Sequence, residues 1–277
     1  KQLNYWKELL NGIPALLELP TDRPRPPVQT YKGSTEIFEI DQELTERLKS
    51  LSLERRVSLF MTLHATFSLL LSRYSGQNDI VVGVPIANRN YKQIEPLIGF
   101  FVNTLVLRTD LSGGQHFNEL LERIRMVTLE SYAHQDIPFE LLVEELHPER
   151  DMSYSPMFQV MFSFQNTSFI HGDEPGFSGL NEGAIELKNT KAKFDLSLFM
   201  EEANQGIVGA FEYNTDLFDK STIQRMIAHF KTLLVAVTDN PEKRLQEYSL
   251  MTKTERHQIL VEWNETGINY PRGKCIH

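Results

Sequence analysis

Residues 59 to 71 read LFMTLHATFSLLL, and this stretch limits the possible folds more than any other. At 3.6 residues per turn its apolar positions surround the helix instead of forming one stripe, so the helix must be enclosed by protein on every side. At 13 residues, and interrupted by Thr62, His64, Thr66 and Ser68, it is too short and too mixed to cross a bilayer. The spacing predicts a buried helix over Ser58 to Tyr74, stopped by Gly76. The rest of the chain must supply the layers around it.

Those layers are readable as alternating patterns. Residues 34 to 40, STEIFEI, alternate apolar and polar and predict a half-buried strand. Asp41 follows as a cap for a helix through Leu48. Residues 79 to 85, DIVVGVP, form a β-branched run suited to a buried strand. Further strands are predicted over Phe101 to Leu107 and Pro156 to Phe164. Another pair, Phe194 to Met200 and Ile207 to Tyr213, flanks the hairpin signal Ala203-Asn204-Gln205-Gly206. Helical periodicity covers residues 3 to 10, Phe117 to Tyr132, Phe139 to Leu146 behind Pro138, Asp219 to Val237, and Thr254 to Trp263. Residues from Asn264 onward carry no anchoring pattern. Interleaved strands and helices predict an α/β class, α+β with a mixed sheet. A length of 277 residues suits one or two domains.

Composition removes several function classes. The 28 Lys and Arg against 37 Asp and Glu leave a net charge of −9, opposite in sign to a nucleic-acid footprint. The single Cys275 excludes a disulfide framework and any multi-thiolate zinc site. No two histidines have the i, i+4 spacing of a helical metal site, so no metal is expected. No G-x-S-x-G, P-loop or G-x-G-x-x-G motif occurs. No basic segment followed by an apolar one opens the chain, so the cytoplasm is the expected compartment, with no membrane partner.

Two segments do not fit regular elements. Residues 20 to 33, PTDRPRPPVQTYKG, hold four prolines in eight residues and must run extended, as a linker or a surface strap. Residues 166 to 184 are rich in Gly, Ser, Asn and Asp and predict a long loop.

Three clusters concentrate chemistry-bearing residues. In Ile98-Gly99-Phe100-Phe101-Val102-Asn103-Thr104, Asn103 is an amide inside an apolar strand, and Gly99 permits close backbone approach. A buried amide must be hydrogen-bonded, so Asn103 either ties elements together or faces a pocket. In His134-Gln135-Asp136-Ile137-Pro138-Phe139-Glu140, a histidine beside a carboxylate has the makings of a general base. The plainer alternative is a turn in which Asp136 caps the next helix and Glu140 complements its first turn. The third cluster, Arg150-Asp151-Met152-Ser153, is either a site or a solvated ion pair of little energetic weight.

Taken together and in this order, the three clusters resemble the fifth, sixth and seventh core motifs of the condensation domains of nonribosomal peptide synthetases. The matching residues are Ile98-Gly99-x-Phe101-Val102-Asn103-Thr104-x3-Arg108, His134-Gln135-Asp136-x-Pro138-Phe139-Glu140, and Arg150-Asp151-x-Ser153 through Pro156, with Tyr154 where an Arg is frequent. The openings LNYWKELL and LELPTDRPRP resemble the sequence after that family's fourth motif. The resemblance covers residues 1 to 248. Residues 249 to 277, with Trp263-Asn264 and Tyr270-Pro271, resemble the linker into an adenylation domain and that domain's first residues.

The resemblance implies the C-terminal lobe of a two-lobed, chloramphenicol acetyltransferase-like fold. Its partners would be the N-terminal lobe, donor and acceptor carrier proteins, and the downstream adenylation domain. The reaction implied is amide formation between thioesters on phosphopantetheine arms; that group is carried by the partners and no cofactor is bound directly. The family's catalytic histidine lies in an H-H-x-x-x-D-G motif that this sequence lacks, so no catalytic residue is assigned and the fragment alone is expected to be inactive. Gly99, Asn103, His134, Gln135, Asp136, Ser163 and Gln165 are the expected tunnel-lining or substrate-binding residues. Phe101, Phe139, Arg150 and Asp151 are expected to support them. A latch crossing to the other lobe is expected within 165 to 212, and the strap at Pro20 to Pro27 is expected to be tied down by the missing lobe. A lobe without its partner exposes apolar surface and tends to self-associate. The competing readings are a non-catalytic docking module for a carrier or neighbouring domain, and an epimerisation or heterocyclisation relative.

Overall fold

The computed structural model describes residues 1–89, 93–94, 97–99, 101–148, 151–165 and 190–267. The chain order is α1 (Gln2–Leu9), β1 (Gly33–Asp41), α2 (Gln42–Glu54), α3 (Leu59–Ser75), β2 (Asp79–Ile86), β3 (Asn103–Asp110), α4 (Phe117–Ala133), α5 (Phe139–Leu146), β4 (Val160–Gln165), β5 (Leu196–Ala203), β6 (Gly206–Asn214), α6 (Lys220–Asp239) and α7 (Lys253–Leu260). Six strands form one sheet in the order β1-β6-β5-β4-β2-β3. The pairs β1–β6, β5–β6 and β2–β3 are antiparallel, and β4 runs parallel to both β2 and β5. The class is therefore α/β with a mixed sheet, as the interleaved patterns predict.

The all-round apolar helix is enclosed as its pattern demands. Every residue of α3 from Met61 to Ser72 is buried. Ser58 caps its start, accepting from the Met61 amide at 3.2 Å. Gly76 ends it in a left-handed turn (φ 72°), a conformation that favours residues without a Cβ. One core packs α2, α3 and α6 on one face of the sheet, around Phe67, Phe162, Phe211 and Phe230. A second core on the opposite face holds Trp6 of α1, Leu142 of α5, Leu105 and Leu107 of β3, and Phe158. Residues Ile80 and Val82 of β2 enter the first core and Val81 the second, so a continuous β-branched run follows from burial on both faces.

Several boundaries differ from the sequence expectation, each for a local reason. Helix α2 continues past Leu48 to Glu54, because Leu51 and Ser52 are also buried and the Ser52 hydroxyl bonds that of Thr62 at 2.7 Å. The Asp41 cap forms as expected, accepting from the Leu44 amide at 2.8 Å. Strand β3 begins at Asn103, two residues later than expected. Strand β4 begins at Val160 instead of Pro156, because Met157 adopts a left-handed φ of 70° and the Phe158 amide donates back to the Pro156 carbonyl. Of the expected crossing segment, residues 165 to 212, Gln165 ends β4 and residues 196–212 lie in β5, β6 and the turn between them, inner strands of the sheet. Residues 166–189 of that segment lie outside the described residues.

The proline-rich segment is a strap, and this chain ties it down itself, contrary to the expectation that a missing lobe does so. The Asp22 carboxylate accepts from the Asp219 amide at 2.7 Å and the Thr222 hydroxyl at 2.9 Å, at the start of α6. Arg23 pairs with Asp219. Further along the strap, the Arg25 guanidinium forms a bidentate pair with Asp195 just before β5 and also donates to the Ser153 carbonyl at 3.2 Å. Among the described residues, no helix is long and apolar enough to cross a membrane.

Candidate functional site

The first two motif clusters meet through one side chain. Asn103, at the start of β3 and 7% exposed, directs its amide into the turn between α4 and α5. Its Nδ2 donates to the carbonyls of Gln135 and Ile137, both at 2.9 Å. Its Oδ1 accepts from the Phe139 amide at 3.0 Å and from its neighbour Thr104 at 2.9 Å. Both donors and both acceptor positions are thus used within the chain, and a buried amide in that state braces a turn. Of the two readings of Asn103, tie or pocket group, the structure selects the tie. It also corrects the expected cap of α5: the bond to the Phe139 amide comes from Asn103, thirty-six residues away, and Asp136 makes no such bond.

Helix α1 completes the clamp from the other side. Trp6, fully buried, donates its indole N–H to the His134 carbonyl at 2.9 Å. The Tyr5 ring stacks on the His134 ring, with centroids 4.2 Å apart and planes within 11°. Gln2 donates to Asp136 at 2.9 Å. The His134 Nδ1 lies 2.8 Å from the Glu130 carbonyl, which fixes the proton on Nδ1 in the neutral ring and leaves Nε2 as the acceptor. His134 and Gln135 are half-buried, Asp136 is exposed, and Phe139 packs on Phe158 at 5.5 Å between centroids.

The remaining expected site residues have surroundings of their own. Gly99 is exposed, and a Cβ added to it would approach the Phe101 ring to 2.9 Å. The Phe101 ring also carries the Arg89 guanidinium, 4.3 Å from its centroid. Ser163 is buried within β4 opposite Phe199, and Gln165 is exposed at that strand's end. Asp151 accepts from the Ser153 amide at 2.7 Å, and the Ser153 hydroxyl and amide hold its carboxyl below the ordinary range. Arg150 lies outside the described residues. Among the described residues, no group of three or more His, Cys, Asp or Glu side chains is placed to hold a metal ion.

Two buried features escape a sequence reading. Asp195, 2% exposed, has its pKa raised by burial, with the Arg25 contact pulling the other way. The dipeptide Arg25-Pro26 inside the strap is the trace of this pair, but nothing local identifies Asp195 as its partner. His64, 1% exposed, lies between the rings of Phe60 and Phe162 with neither nitrogen hydrogen-bonded, and burial pushes its pKa down to about 4.

Residues 1–260 match the family model described as "Condensation domain". A linear gramicidin synthase polypeptide of Brevibacillus parabrevis is 49% identical over 277 residues, all of this chain and 5% of that protein's length. Malpinin synthetase of Mortierella alpina is 44% identical over 276 residues, again all of this chain and 4% of that protein. The chain thus spans a small part of the relatives it matches. Among solved structures, a holo four-domain nonribosomal peptide synthetase bound to AMP and glycine superposes with a TM-score of 0.85 at 25% identity, over 92% of this chain and 20% of that one. The X-domain from teicoplanin biosynthesis superposes with a TM-score of 0.80 at 25% identity, over 90% of this chain and 57% of that one. The mixed α/β architecture is therefore that of condensation-domain structures, the chloramphenicol acetyltransferase-like fold.

Proposed function

The chain belongs to the condensation-domain family, and we propose that residues 1–248 form the C-terminal lobe of such a domain, followed by a linker into an adenylation domain. The single observation that carries this reading is the Asn103 tie, which joins the fifth-motif and sixth-motif segments into one braced turn. The coverage of 57% of a neighbouring single-domain structure fits a lobe.

In this reading the lobe supplies one wall of a tunnel between two carrier proteins, each bearing a phosphopantetheine thioester. The acceptor amine attacks the donor thioester carbonyl. The new C–N bond forms, the C–S bond breaks, and the nitrogen's proton leaves with the sulfur as a thiol. His134, Gln135 and Asp136 border the tunnel on the braced turn, with Gly99 on the approach to β3 and Ser163 and Gln165 on β4. Asn103, Phe101, Phe139, Arg150 and Asp151 support that wall. No catalytic role is assigned to His134, whose ring is stacked on Tyr5 and bonded to the Glu130 carbonyl. The exposed apolar side chains Leu97, Ile98 and Val102, just before β3, are where we place contact with the N-terminal lobe.

A condensation assay tests this. The purified chain is given donor and acceptor substrates loaded on their carrier proteins, and amide formation is followed by intact mass. The expected result is no product from the folded chain alone, and product once the N-terminal lobe is added in trans. Product above the carrier-only background without that lobe overturns the reading and makes His134→Ala the next variant.

A further inference from the structure

Helix α7 is attached to the body in an unusual way. The chain is anchored up to Tyr248, which is 1% exposed and donates its hydroxyl to the Asn240 carbonyl at 2.6 Å. From Met251 to Gly267 every residue is exposed except Thr252 and Glu255, which are half-buried. Helix α7 therefore buries no apolar side chain, and Ile259, Leu260 and Trp263 (67% exposed) all lie on the surface. An eight-residue helix without tertiary packing is marginal in water. Some other contact must hold it.

That contact is polar and lies on one line. The Tyr74 hydroxyl, near the end of α3, lies 2.7 Å from Nδ1 of His229 on α6. His229 Nε2 lies 3.0 and 3.1 Å from the two oxygens of Glu255 on α7. The same carboxylate accepts from the Thr252 amide at 2.8 Å and the Thr252 hydroxyl at 2.9 Å, closing the capping box of α7. His229 is 9% exposed, so the histidine is fixed while the helix it holds is not buried. Burial raises the Glu255 pKa, but the bonds from Thr252 and His229 outweigh it and hold the carboxyl below its ordinary range. Burial pushes the Tyr74 hydroxyl up to about 12, against the pull of the nearby Arg225, so it stays protonated and can bond the ring's Nδ1 as donor or acceptor.

We propose that Tyr74, His229 and Glu255 form a clasp that fixes α7 on the body, so that this helix and its apolar end can detach while the fold beneath stays intact. His229 and Tyr74 are positioning residues in this device, and Glu255 is the catch. The clasp sets the direction in which Ile259, Leu260 and Trp263 are presented.

Hydrogen exchange read by mass spectrometry on the full chain tests the clasp, comparing the peptide spanning 251–264 with peptides from α3 and α6. His229→Leu keeps the volume and removes both bonds. Exchange in 251–264 is expected to become about tenfold faster, with α3 and α6 unchanged. His229→Gln, whose amide still reaches a carboxylate, is expected to restore part of the protection. Glu255→Gln, on a surface helix whose change leaves the core untouched, is expected to loosen the same peptide and keeps the test valid if His229→Leu does not fold. Unchanged exchange in 251–264 in the folded His229→Leu chain or in Glu255→Gln overturns the clasp. So does a loss of protection spread through α3 and α6, which would make His229 a core residue.

Discussion

Helix α3 and the turn at residues 134–139 are held by different forces. Helix α3 is held by apolar enclosure: Phe67 meets the rings of Phe162, Phe211 and Phe230 at 5.8 to 6.2 Å. The turn is half open to solvent and is held by hydrogen bonds from Asn103 and Trp6, residues far away in sequence. Apolar enclosure is spread over many contacts, each replaceable in kind. A polar tie is concentrated in one side chain with a fixed geometry. The two regions should therefore respond to different perturbations.

The largest effect should come from α3. Phe67→Ala removes a fully buried ring packed against three others and should cost about 4 kcal/mol. Urea unfolding reads this as a lower midpoint with an unchanged slope. An unchanged midpoint would mean that the enclosure around α3 is loose. His64, on the same helix, sharpens the contrast through pH. Its folded pKa of about 4 lies below the unfolded value of 6.5, so the folded state resists taking up the proton. The stability this represents is fully present above pH 6.5 and is lost as pH falls through 4, by about 3 kcal/mol in all. His64→Leu should be at least as stable at neutral pH, since it removes two unpaired buried nitrogens, and should lose less stability between pH 7 and pH 4. Parallel pH profiles of the two proteins would contradict the buried neutral ring.

Next in size is the tie itself. Asn103→Ala leaves the Phe139 amide and the carbonyls of Gln135 and Ile137 without their partner, and should cost about 2–3 kcal/mol. Unlike Phe67→Ala, its effect should be local, with faster amide exchange over 134–142 and little change in α3. A loss distributed evenly over both regions would erase the distinction between enclosure and tie.

These differences explain what can be read in advance. Helix α3, the β-branched strand β2 and the hairpin of β5 and β6 are legible because burial imposes a period on neighbouring residues. The Asp41 cap is legible because donor and acceptor are three residues apart. The cluster 134–140 is conspicuous as a sequence, but its cap and clamp come from residues 103, 2, 5 and 6, and no local pattern names them. The same holds for Asp195, which looks like any strand-edge carboxylate until Arg25 arrives from the strap, and for His229, which reads as one polar position on an amphipathic helix. The start of β4 is hidden from the pattern because a left-handed Met157 is a tertiary outcome, set by the surrounding core.

The strap extends the comparison to its weakest case, where a polar tie works at the surface. Asp22 bonds the first turn of α6 through the Asp219 amide and the Thr222 hydroxyl, but it is itself exposed. Water can replace a lost partner there, so Asp22→Ala should cost about 1 kcal/mol, the usual scale for a helix cap. Asp22→Asn keeps an acceptor oxygen and should cost less. Thermal unfolding of the two variants beside the parent distinguishes the cases. If Asp22→Ala costs as much as Asn103→Ala, the strap is part of the buried framework instead of a surface tie, and Arg25 with Asp195 then becomes the pair through which it is held.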